Sequence, residues 1–374
     1  MRKLLLLVAL VSGCDRIAPA GGAGAPALRP SDGGSAVAVY FSQVWDKPAA
    51  NRENPRSIAR ACAEYVNQAM RTLDVCGFEI DNAVIVEAIV AAKRRGVKVR
   101  VITDPGYVKE SGPVAFQAEG IPVIWKTRTG GLTHQKFLVI DGMTVWTGSF
   151  NFTENCAYKN NNVGAAFLDA NLAENYTTWF DWFWSDGRSS RSARGRSTPH
   201  PFVQLSDGTR VENRFTSFDK LDEVVMRHVK NARQSVKFMA FAFTHDGIGD
   251  AMVQVAKRGV KVTGVFESRM VEPDDKGTVN SEYAKLSRTA NVEVYRDGNP
   301  FLVHHKTIII DDRLVIVGSF NFSRNATDKN DENLVVIFNP AVAQECDREF
   351  QRVLAQAKSP VKPLAGRSGS AARR

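Results

Sequence analysis

Residues 134–153 read HQKFLVIDGMTVWTGSFNFT, and residues 304–323 read HHKTIIIDDRLVIVGSFNFS. In each stretch an imidazole and an ammonium interrupt an apolar, strand-like run. Residues two apart on a strand share a face, so His134 projects with Lys136, and His304 with Lys306. Asp141-Gly142 and Asp311-Asp312 carry the chemistry of tight turns, each leading to a second strand at Val145–Thr147 or Leu314–Val317. Beyond that strand Ser149 and Asn151, or Ser319 and Asn321, again share a face. Each hairpin therefore presents an imidazole, an ammonium, a hydroxyl and a carboxamide at one edge. That set suits a phosphodiester. Lys, Ser and Asn neutralise and hydrogen-bond phosphoryl oxygens, while His transfers protons or attacks phosphorus. Asp141 and Asp311 fall off the His/Lys face by parity, which gives them a structural part in the turn.

The shared pattern is H-x-K-x4-D-x6-G-S-x-N. At average residue frequencies a match at one position has odds of about 10⁻⁸, and this chain of 374 residues holds two. The likeness extends around both. AIVAAKRRGVKVRV at 88–101 matches AMVQVAKRGVKV at 251–262, Lys159-Asn160 matches Lys329-Asn330, and Phe180 matches Phe350. Repeats of about 160 residues are domain-sized. Each copy reads as a helix, a strand ending near Phe78 or Phe241, a helix closing at Gly96 or Gly259, and a strand at Val97–Ile102 or Val260–Phe266. That order predicts an α/β unit with a mixed, mostly parallel sheet flanked by helices. The repeats are expected at 36–184 and 202–357, joined by an Arg/Ser-rich linker at 185–201.

This motif resembles that of the phospholipase D superfamily, and both copies match it completely; the resemblance covers roughly residues 38–355. It implies two repeats related by a pseudo-twofold axis with one active site at their interface, built by a single, monomeric chain. It implies that one histidine attacks phosphorus to give a phosphohistidine, that the other protonates the leaving group, and that water or an alcohol then releases the enzyme. No metal and no cofactor is implied. In this superfamily a carboxylate commonly follows each motif and orients a catalytic imidazole. Glu332, in KNDEN, fits that role, whereas the equivalent position in KNNNV is Asn162. If the partners cross between repeats, Glu332 orients His134, which favours His134 as nucleophile and His304 as acid. If they stay within a repeat, the roles exchange. Members of the superfamily cleave phospholipids, DNA and RNA with the same residues. A phospholipid or membrane-surface substrate is expected first, with a metal-independent nuclease as the alternative. A non-catalytic phosphate-binding scaffold would be expected to have lost a motif residue, and none is lost.

The rest of the chain bears on location. Arg2 and Lys3 precede an apolar run from Leu4 to Val11, too short for a membrane span, which needs about 20 residues. Val11-Ser12-Gly13-Cys14 resembles a bacterial lipobox. The expectation is a signal peptide at 1–13, lipidation of Cys14, a Gly/Ala/Pro-rich tether at 14–35, and an exported, membrane-anchored protein facing the periplasm or cell exterior. The formal charge is +9, but four Arg lie in 185–200, and Lys358, Lys362, Arg367, Arg373 and Arg374 lie in an acid-free tail at 358–374 that reads as disordered. The charge therefore says little about a catalytic groove. Cys62, Cys76, Cys156 and Cys346 could pair in an oxidising compartment or be small buried residues, and no Cys/His cluster suggests a metal site. WFDWFW at 179–184 falls on the last predicted helix of the first repeat, where core packing is favoured over membrane contact.

Overall fold

The computed structural model describes residues 34–42, 52–190, 193, 195–272 and 281–359. The segment read as a signal peptide, Cys14, nearly all of the stretch read as a tether and the residues beyond Ser359 read as a tail lie outside the described residues.

Strands β1 (Val37–Phe41), β2 (Thr72–Gly77), β3 (Lys98–Thr103), β4 (Val123–Trp125), β5 (Lys136–Ile140), β6 (Thr144–Gly148) and β7 (Val163–Leu168) form the first sheet, in the order β1-β7-β6-β5-β2-β3-β4. Strands β8 (Phe202–Gln204), β9 (Arg210–Phe215), β10 (Ser235–Ala240), β11 (Lys261–Phe266), β12 (Val292–Arg296), β13 (Lys306–Ile310), β14 (Leu314–Gly318) and β15 (Asn333–Phe338) form the second, in the order β12-β11-β10-β13-β14-β15-β9-β8. Apart from β8, the two orders are equivalent. Both sheets are mixed and flanked by helices, as expected, but they are not mostly parallel. Only β2-β3-β4 and β10-β11-β12 run parallel. Helices Ala83–Arg94 and Asp246–Lys257 provide the crossovers that parallel neighbours require, whereas the motif strands fold back through short turns and pair antiparallel. Each copy also begins with a strand, β1 or β9, before its first helix; the sequence reading began with the helix.

The core lies in three parts. The outer face of each sheet packs on its own repeat's helices, with Leu138 and Ile140 on one side and Ile308 and Ile310 on the other. The inner faces share a single core in which Phe137, Val139 and Phe167 join Ile309, Val335 and Ile337. Helices Ala170–Trp182 and Pro340–Lys358 line this interface. Trp179 stacks with Phe215 at 6.2 Å between centroids, and Trp182 meets Phe218 at 5.5 Å, so the aromatic cluster joins the repeats. The stretch read as a linker is tied down where described. The Arg188 carbonyl accepts from the N–H groups of Thr127 and Arg128, and the Asn175 side chain clasps the His200 backbone. Cys62, Cys76, Cys156 and Cys346 are buried free thiols. Among the described residues no helix is long and apolar enough to cross a membrane.

Candidate active site

The turns at Asp141 and Asp311 fix the motif hairpins. Asp141 and Gly142 adopt positive φ (54° and 66°), as do Asp311 and Asp312 (54° and 50°). The Asp141 carboxylate accepts from the backbone N–H groups of Met70, Arg71 and Thr72 at 2.7–2.9 Å. Asp311 accepts from those of Arg233, Gln234 and Ser235. Each aspartate thus staples the motif hairpin to the start of the neighbouring strand, on the side away from the histidines. At the other end, Gly148 and Gly318 have φ of 147° and 149°, and a Cβ there would lie 2.2 Å and 2.4 Å from the carbonyl oxygens of Val163 and Asn333. Only glycine lets β6 and β14 run this close to β7 and β15. Thr153 and Ser323 close the motifs by capping the next short helix through the N–H groups of Cys156 and Ala326.

The two histidine loops dock on each other's repeats. His134 N–H donates to the Asp331 carbonyl at 3.1 Å, and His304 N–H to the Asn161 carbonyl at 2.9 Å. These bridges bring the residue after Asp331 and the residue after Asn161 beside the opposite histidine. Glu332 Oε2 lies 2.9 Å from His134 Nδ1, and Asn162 Oδ1 lies 2.8 Å from His304 Nδ1. Both partners cross between repeats. The Asn162 amide donates Nδ2 to the carbonyls of Cys156 and Asn160, which turns its oxygen toward His304.

Ser149 and Ser319 differ from the sequence reading, which placed them on phosphate. Ser319 Oγ donates to Glu332 Oε2 at 2.6 Å and accepts from the Asn333 N–H. Ser149 Oγ donates to Asn162 Oδ1 at 3.1 Å and accepts from the Val163 N–H. A hydroxyl has one proton, so neither serine keeps a donor for a phosphoryl oxygen. They orient the histidines' partners instead. Asn151 and Asn321 each keep a buried Oδ1 with no partner among the described residues, and Asn151 Nδ2 lies 3.4 Å from Glu79 Oε2.

Lys136 Nζ donates to the His134 carbonyl at 2.6 Å and Lys306 Nζ to the His304 carbonyl at 2.8 Å, leaving two protons on each ammonium for a ligand. Phe78 packs against His134 at 4.9 Å with Lys136 Nζ 5.0 Å from its centroid; Phe241 repeats the arrangement with His304 and Lys306 at 4.9 Å each. The motif pattern omits these aromatics, though their repetition at equivalent positions was a visible signal. Glu79 has no such signal, because its counterpart is Ala242.

The electrostatics unite the two motifs. Burial pushes both imidazoles well below the ordinary histidine range, and both lysines act on each in the same direction. Burial and Lys136 hold Lys306 well below its usual value; burial lowers Lys136 to about 8, with Glu332 and Glu79 opposing. Burial raises Glu332 to about 8 against the pull of Lys136 and the Ser319 and Asn330 donors. Among the described residues no group of three His, Cys, Asp or Glu side chains is placed to hold a metal ion.

The family described as "Cardiolipin synthase, PLD-like domain" matches residues 63–184 and 225–354. A mitochondrial cardiolipin hydrolase of Chlamydomonas reinhardtii is 30% identical over 184 residues, covering 45% of this chain and 82% of that protein. A phospholipase D of Rickettsia bellii is 30% identical over 154 residues, covering 39% and 72%. The solved structure of phosphatidylserine synthase from Haemophilus influenzae shares the fold at a TM-score of 0.60 and 16% identity, over 80% of this chain and 84% of that one. With the family matched over both repeats and two motifs meeting in one centre, the chain belongs to the phospholipase D superfamily, as a two-repeat member of the cardiolipin synthase, PLD-like domain family.

Proposed function

We propose that this phosphodiesterase hydrolyses the head-group phosphodiester of phospholipids through a phosphohistidine on His134. The observation that carries the reading is the crossed pairing of His134 with Glu332 and His304 with Asn162. His134 donates Nδ1–H to the Glu332 carboxylate and attacks phosphorus with the Nε2 lone pair. The N–P bond forms as the P–O bond to the head group breaks. Burial raises Glu332 to about 8, but the positive charge that develops on the ring favours its ionised form, and that carboxylate offsets the charge. His304 supplies the proton to the departing oxygen from Nε2, while the Asn162 amide orients its ring without neutralising it. Burial and the two lysines favour the neutral ring, so His304 gains the proton it donates when the anionic phosphate is bound. In the second half, His304 takes a proton from water, the oxygen attacks phosphorus, and the P–N bond breaks to release phosphatidic acid. An alcohol in place of water gives transphosphatidylation. Lys136, Lys306 and the Asn321 amide hold the phosphoryl oxygens.

Two features support lipid as the substrate. Relatives carry the names phospholipase D and cardiolipin hydrolase. Leu132, 39% exposed, and half-buried Phe301 and Leu302 stand in equivalent loops just before the two histidines, which gives the entrance an apolar border. Lipidation of Cys14 would hold that entrance near a membrane. The test is a parallel assay in EDTA on labelled phosphatidylcholine, cardiolipin and single-stranded DNA. Cleavage of lipid with release of the head group is expected. Cleavage of DNA alone would transfer the same chemistry to a nuclease.

A further inference from the structure

The pseudo-twofold site is broken at one position on its rim. Glu79 follows Phe78, the ring that packs on His134, while Ala242 follows Phe241 in the second repeat. Glu79 is half-buried, accepts the Tyr107 hydroxyl proton, and draws Asn151 Nδ2 to 3.4 Å. Asn151 is only 5% exposed, and its Oδ1 has no partner among the described residues. One Nδ2 proton faces the carboxylate and the other remains, so Asn151 presents the site with one donor and, in Oδ1, an acceptor that has no partner among the described residues. The half-buried Tyr107 ring adds an aromatic wall, 4.7 Å from Phe78. The carboxylate lies close enough to influence Lys136 and also Cys156, whose sulfur is 3.9 Å from His304 Nδ1. It therefore stands beside the first motif, in contact with Asn151 and within electrostatic reach of Lys136. A carboxylate, an unpaired carbonyl oxygen and an aromatic wall beside a phosphate site are complementary to an organic cation.

We propose that Glu79, with Tyr107 and the Asn151 carbonyl oxygen, is the specificity-determining element that receives the ammonium group of a zwitterionic phospholipid head group. The inference rests on the phospholipid reading above and narrows it. An ammonium near the scissile phosphate finds Glu79 for its charge, the Tyr107 face for its methylenes, and Asn151 Oδ1 for an N–H. A second phosphate in that place, as in cardiolipin, meets the carboxylate and is repelled. The second repeat, with Ala242, has no equivalent and leaves Asn321 to the phosphoryl group.

The test compares kcat/KM for phosphatidylethanolamine and phosphatidylglycerol in mixed micelles, using the full chain and its Glu79→Gln and Tyr107→Phe variants. Glu79→Gln keeps the hydrogen-bonding shape and removes the charge. The ethanolamine-to-glycerol ratio is expected to fall about tenfold, mainly through KM for the amine lipid. Tyr107→Phe, which frees the carboxylate from its orienting hydroxyl, should move the ratio the same way by less. Cleavage of both lipids by all three proteins at one unchanged ratio would overturn the inference while leaving the phospholipase reading intact. A wild type that cleaves single-stranded DNA but neither lipid would overturn both.

Discussion

Glu332 belongs to the second repeat yet bonds His134 of the first, 198 positions away, while His304 receives only the neutral amide of Asn162. The two halves of a pseudo-symmetric site are therefore electrostatically unequal. A carboxylate stabilises the cation that a nucleophilic imidazole becomes; an amide orients a ring and leaves its charge uncompensated. Glu332→Gln is expected to slow formation of the covalent intermediate by about 10²-fold or more. Asn162→Ala should mainly disturb positioning. Reactions of phosphorus-labelled lipid quenched in neutral denaturant and followed by peptide mapping should find the label on the peptide containing His134. A label on His304 would reverse the roles.

Because both motifs build one centre, His134→Ala and His304→Ala should each lower turnover by at least ~10³-fold. Retention of half the wild-type rate in either variant would mean two independent sites.

Activity should fall on the alkaline side earlier than free lysine would suggest. Burial lowers Lys136 to about 8, so its positive charge is present below that pH and lost above it. The kcat/KM profile should decline above about pH 8 with the loss expressed in KM. The matching limb in kcat should lie higher, since a bound phosphate anion favours the charged lysine.

Asp141→Ala and Asp311→Ala should cost stability and spare the chemistry of the folded fraction. Each leaves backbone N–H groups of an adjacent strand start without their acceptor, a loss of about 1–3 kcal/mol in denaturant unfolding. Partial burial pushes the Asp141 carboxyl up, but the N–H donors of Thr72, Met70 and Arg71 outweigh it and leave the group below its ordinary value of 3.8. Its stabilisation is complete above that value and disappears as pH falls below it, so wild type and Asp141→Ala should converge in acid.

Cys14→Ser should release the protein from membranes to the soluble fraction. Membrane retention equal to wild type would assign the anchoring to something other than the lipobox.

The amino-acid sequence by itself determined the paired histidines and lysines, the turn aspartates and the glycine at each close strand approach. Their placement follows from strand parity and turn chemistry within each motif, although the N–H groups that the aspartates bind lie in remote segments. It also determined the repeat, because both copies keep the same local pattern. Tertiary structure alone decided what depends on which remote segments meet. Reading Glu332 against His134 required the bridges of the two histidine loops to the opposite repeat. The serines share a face with the asparagines in sequence parity, yet β7 and β15 bring Asn162 and Glu332 over their hydroxyls and take the only proton each has. The motif strands pair antiparallel, and β1 on one sheet and the β9-β8 pair on the other complete them, because short returns and distant segments both close the sheets. Glu79 carries no motif and no repeat partner. Its position beside Asn151 and Tyr107 comes from packing, which local periodicity does not encode.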